Sequence, residues 1–152
     1  MIDYRFKSKT FVVREVADSF APTCTSPRIA VDVLRTLFAQ LELDVNQEHM
    51  ILLALNAKGK VIGHKLISSG TETGTLCSPA QILRAAIVLG GTSFVMCHNH
   101  PSGNPVPSRE DITLTRRCKE SGETLSLPLS DHIILCNDSF HSFRVNENWD
   151  NR

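Results

Sequence analysis

The chain has 152 residues, of which 41% are apolar and 21% charged, and its formal net charge is zero. These values fit one domain around one core and exclude a disordered chain. Zero net charge gives no long-range attraction to nucleic acid, so that class of partner is weakly supported; the densest basic cluster, Arg116, Arg117 and Lys119, reads as a solvated helix face.

In chain order, the opening "MIDYRFKSKT" lacks the apolar segment of a signal peptide, and no later apolar run approaches the roughly 20 residues that span a bilayer. No membrane partner is expected, and the cytoplasm is the expected compartment. Five dispersed cysteines without a C-x-x-C pattern fit reduced thiols in that setting. "KTFVVREV" is a predicted strand and "ADSFAPTCTSP" a loop, which makes residues 1–25 an N-terminal extension. Ser26-Pro27 reads as N-cap and first helical residue, and Ile29, Val31, Val33, Leu34, Leu37 and Phe38 give a helix to about Gln40 its apolar side.

"EHMILLALNAKGKVIGHKLISSG" predicts two strands around a turn at Asn56 to Gly59. "SPAQILRAAIVLGG" predicts a second helix: Ser78 and Gln81 have capping-box spacing, Pro79 sits in the first turn, and Gly90-Gly91 stop it. "TSFVMCH" is a buried strand, and Ser108 caps a third helix ending near Gly122. "DHIILC" and "SFHSFRV" are predicted strands about a hairpin turn at Asn137-Asp138. Interleaved helices and strands give an α/β or α+β class with a mixed sheet.

The pattern His98-x-His100 at a strand end, followed by a proline-rich turn and Asp111, carries the chemistry. Side chains two apart on a strand share a face, so both imidazoles can reach one ion. The loop "PSGNPVPS" is stiff enough to return the chain to a fixed place, delivering Asp111 in the first turn of the third helix. Two imidazoles and a carboxylate suit one Zn²⁺ with a fourth position open, as in catalytic zinc sites. The same residues allow a plainer reading, in which Ser108 and Asp111 only cap the helix. A hydrolytic site also needs a base. Glu48, at the entry of an apolar strand, is the candidate, and local sequence leaves it open between that role and a solvated strand end.

The run "HNHPSGNPVPSREDI" followed by "DHIIL" resembles the JAMM motif of JAB/MPN domains, and the RadC family in particular. The resemblance covers about Ser26 to Asn148, and residues 26–149 are taken as the JAB/MPN domain. It implies a curved mixed β-sheet flanked by helices. It implies one zinc on His98, His100 and Asp111, Glu48 as general acid and base, and the Ser108 hydroxyl at the oxyanion. The implied activity is zinc-dependent hydrolysis of amide bonds, of metallopeptidase or isopeptidase type, on a protein or peptide substrate. A metal-dependent nuclease or DNA-repair factor and a non-catalytic interaction module are the alternatives.

Two departures bear on these expectations. Members of the family carry a helical segment, resembling helix-hairpin-helix modules, ahead of the domain, whereas this sequence begins close to it. "LCSPAQILRAA" has Ala80 and Gln81 where relatives carry a charged pair. Asp131 and His132 are either orienting partners of the ligands or structural residues. His49 is expected on the opposite face from Glu48, and His64 and His141 show no ligand spacing. The literal "HNH" triplet lacks the spacing of HNH nucleases.

Overall fold

The computed structural model describes residues 22–70, 77–147 and 149, and the expected strand in "KTFVVREV" lies outside them. The elements run α1 (Pro27–Gln40), β1 (His49–Leu55), β2 (Val61–Ser69), α2 (Pro79–Val88), β3 (Ser93–Asn99), α3 (Arg109–Thr124), β4 (Leu129–Leu135), β5 (Phe140–Ser142) and α4 (Phe143–Asn146). The strands form one open mixed sheet in the order β2-β1-β3-β4-β5. Only the β3–β4 pair is parallel, and it is the pair joined through a helix, as a parallel crossover requires.

Helices cover both faces, so the central strands read as continuous apolar runs rather than alternating ones; all seven residues of β1 are buried. Parity along each strand divides two cores. Ile51, Leu53, Leu55, Val95, Cys97, Ile133 and Leu135 pack with Leu34 of α1 on one face. Met50, Leu52, Ala54, Phe94, Met96 and Leu129 pack with Ile82 of α2 and Cys118 of α3 on the other. Gly122 lets α3 turn back into β4, because a Cβ there would strike the Leu127 carbonyl, whose own amide donates to Gly122 O at 2.8 Å. Cysteines 24, 77, 97, 118 and 136 are all free thiols. Among the described residues, no helix is long and apolar enough to cross a membrane.

Two expectations change. The third helix continues to Thr124. The last predicted strand is cut to Phe140–Ser142, and Phe143 begins a short helix instead. The cause is Asp131: its carboxylate accepts from Ser142 Oγ at 2.7 Å and from Arg144 N at 3.1 Å, while Ser142 Oγ accepts from Val145 N at 3.3 Å. These bonds turn the backbone out of the sheet.

Candidate metal centre

Parity and register bring the site residues to one end of the α2/α3 face. His98 follows Phe94 and Met96 on that face of β3, and it pairs with Met50 of β1. Glu48 lies two residues before Met50, so it continues the same face past the strand end. Asn99 fastens this corner from the opposite face: its Oδ1 accepts from His49 N and its Nδ2 donates to Gln47 O, both at 2.8 Å. The backbone on either side of Glu48 is thus tied to the residue between the two histidines. His49 points to the other face, where its ring meets Ser69 Oγ and the Asp44 carbonyl, as its parity requires.

His100 lies just beyond β3 and is held by the loop. Its amide donates to Leu135 O at 3.0 Å, and its Nδ1 faces the Asn104 carbonyl at 2.7 Å. A carbonyl only accepts, so Nδ1 carries the proton and the neutral ring presents an Nε2 lone pair to the site. The loop then enters α3 through a capping box. Ser108 Oγ accepts from Asp111 N at 3.1 Å, and Asp111 Oδ2 accepts from Ser108 N and Ser108 Oγ, each at 2.7 Å. Oδ2 is therefore engaged by the cap, and Oδ1 is directed at His98.

Glu48, His98, His100 and Asp111 each offer a ligand atom, and these four atoms lie within 4.8 Å of one another. His98 Nε2 stands 3.0 Å from His100 Nε2, 3.1 Å from Asp111 Oδ1 and 3.6 Å from Glu48 Oε1. His100 Nε2 stands 3.5 Å from Asp111 Oδ2. A tetrahedral zinc with bonds of about 2.0–2.1 Å has ligands roughly 3.3–3.4 Å apart, and the cluster has that size. Two facing imidazole lone pairs repel unless a proton or a cation stands between them. The donor set therefore fits a metal ion.

Electrostatics agrees. Burial alone would raise the Asp111 carboxyl, but the His100 and His98 rings and the Ser108 hydroxyl outweigh it and hold the group far below the usual carboxylate range. The Asp111 carboxylate in turn raises His100. His132 is fully buried, and burial, reinforced by the neighbouring His98, lowers it well below the ordinary histidine value.

The two residues that open "DHIIL" part company. His132 shares the site's face and its Nε2 lies 2.8 Å from His98 Nδ1, whereas Asp131 holds the β5–α4 turn. Asp131 is raised by burial against the opposing pull of the Ser142 and Arg144 bonds. Sequence reading missed Asn99 and Thr115. The signal for Thr115 was available, because Thr115, Cys118 and Gly122 continue from Asp111 as the buried stripe of α3.

Comparison with known proteins gives one family. Residues 24–149 match the RadC family, described as a RadC-like JAB domain. A UPF0758 protein of Desulforamulus reducens is 37% identical over 131 residues, covering 86% of this chain and 57% of that protein. UPF0758 proteins of Clostridium beijerinckii and Gloeothece citriformis are 39% identical over 120 residues (79% of this chain, 51% of that protein) and 46% over 100 residues (66% and 41%). The chain thus spans about half the length of these relatives.

Proposed function

From the premise that the chain belongs to the RadC family through its RadC-like JAB domain, we propose a zinc-dependent hydrolase of amide bonds in a protein or peptide substrate. The observation that carries this is the pairing of a three-ligand cluster with a carboxylate, Glu48, whose Oε1 is 3.6 Å from His98 Nε2. His98, His100 and Asp111 would hold the ion. When bound, zinc supplies a Lewis acid for the scissile carbonyl and brings the pKa of a water near 7.

The chain's residues divide the remaining work. Glu48 takes the proton of the attacking water and delivers it to the leaving nitrogen, from a position fixed by the Asn99 clamp. Its side chain is 16% exposed, enough to meet a substrate and dry enough to strengthen its interactions. Ser108 stands beside Asp111 with a hydroxyl whose proton rests on Oδ2. Turning that proton to a developing oxyanion exchanges one anionic acceptor for another, which suits a donor needed only in the transition state.

The test is Glu48→Gln. Zinc content is expected to stay at one per chain while hydrolysis falls about 10²–10⁴-fold. Metal is measured by elemental analysis, and cleavage by new protein termini in cells expressing either form. Loss of metal would make Glu48 a ligand, and equal cleavage would remove it from the mechanism.

A further inference from the structure

Behind His98 lies a chain of polar groups that ends where the site began. His98 Nδ1 is 2.8 Å from His132 Nε2. His132 Nδ1 is 2.6 Å from Thr115 Oγ1, and Thr115 Oγ1 is 2.6 Å from the backbone carbonyl of Asp111. His98 and His132 are 1% and 0% exposed, and Thr115 is 5% exposed, so water has little access to supply other partners. The His132 ring is held in plane by stacking on Phe143, at 4.8 Å and 4°.

Every proton in this chain has one allowed place. A carbonyl cannot donate, so the contact from Thr115 to Asp111 requires the hydroxyl proton to point there. Thr115 can then only accept from His132, which places a proton on His132 Nδ1. Reading from the other end gives the same polarity. A ligating His98 needs a bare Nε2, hence a proton on Nδ1, hence an accepting Nε2 on His132. Both ends demand one direction, and the far end is the residue whose carboxylate faces the metal position.

We propose that Thr115 and His132 are positioning residues of the metal centre: the Thr115 hydroxyl, anchored on the Asp111 carbonyl, acts through His132 to hold His98 in the tautomer that leaves Nε2 free for a metal. This deepens the proposed function and rests on its assignment of His98 as a ligand. The circuit joins β3, β4 and α3, so the two ligands His98 and Asp111 are set relative to each other by one line of hydrogen bonds. Outer partners of this kind are worth about 10–100-fold in metal affinity.

The test compares Thr115→Val, which keeps shape and loses the hydroxyl, with Thr115→Ser, which restores it. Two readouts are taken: zinc affinity by competition with a chromogenic chelator, and the protonation site of His98 by ¹⁵N NMR of metal-free protein. Thr115→Val is expected to bind zinc about 10–100-fold more weakly and to move the His98 proton toward Nε2, with Thr115→Ser matching wild type in both. Unchanged affinity, or weaker binding with an unmoved proton, overturns the proposal. His132→Gln is run alongside, since its amide can accept from His98 and donate to Thr115; it is expected to keep the wild-type tautomer, and a change there also overturns it. If wild type itself binds no zinc, the proposed function fails, and the relay is judged by the His98 tautomer alone.

Discussion

Two helices of this protein start the same way. Ser78 caps α2 and Ser108 caps α3, each accepting from the backbone of the residue three on, whose side chain returns to the serine amide. At α2 that residue is Gln81, its Oε1 2.8 Å from Ser78 N, and the motif ends there. At α3 it is Asp111, whose Oδ2 does the same at 2.7 Å while Oδ1 faces His98 Nε2 at 3.1 Å. One local device serves as a plain helix start in one place and as the mount for a candidate metal ligand in the other. A capping carboxylate has two oxygens, and a cap needs only one. A neutral amide also has a second polar atom, but no charge to offer a cation.

The sharpest way to break this contrast is to exchange the chemistry of the third residue. Asp111→Asn keeps an oxygen for the Ser108 amide, so α3 should fold nearly as before. Zinc affinity should fall about 10³-fold or more, beyond the 10–100-fold worth of an outer partner. The matching change, Gln81→Glu, should leave zinc affinity unaltered. Chelator competition on both variants measures this, and equal affinities would reduce Asp111 to a cap.

Next come the serines. Ser78→Ala and Ser108→Ala should each cost about 1 kcal/mol of stability, read from denaturant titrations. Only Ser108→Ala should also lower kcat, by about 10²–10³-fold if its hydroxyl serves the oxyanion. Equal activities in the two variants would leave Ser108 with the same role as Ser78.

The last contrast is in pH dependence. The α3 start is linked through Thr115 to His132, which is lowered first by burial; no such group is linked to the α2 box among the described hydrogen bonds. A histidine lowered by folding contributes stability that is complete above its unfolded value of 6.5, and that is lost as pH falls from there through the folded value. Below about pH 6.5, wild type should therefore lose stability relative to His132→Gln by up to about 1.4 kcal/mol per pH unit. The comparison is made on metal-free protein, and it isolates His132 from His100, whose shift is in the opposite direction. Parallel pH curves would show that His132 takes up a proton as readily folded as unfolded.

The sequence by itself determined much of this. Ser-Pro pairs marked two helix starts, parity placed His98 with Phe94 and Met96 and sent His49 the other way, and the stiff loop joined H-x-H to Ser108-x-x-Asp111. These are properties of a turn or a pleat, and a few neighbouring residues settle them. Tertiary structure decided that Glu48 joins the two imidazoles, because that depends on the register that sets Met50 beside His98, 48 positions away. It decided that Asn99 clamps the backbone around Glu48, that Thr115 closes the line behind His98, and that Asp131 ends the last strand after Ser142. Each of these rests on a side chain meeting a group from a distant element, and no periodicity within one segment encodes such a meeting.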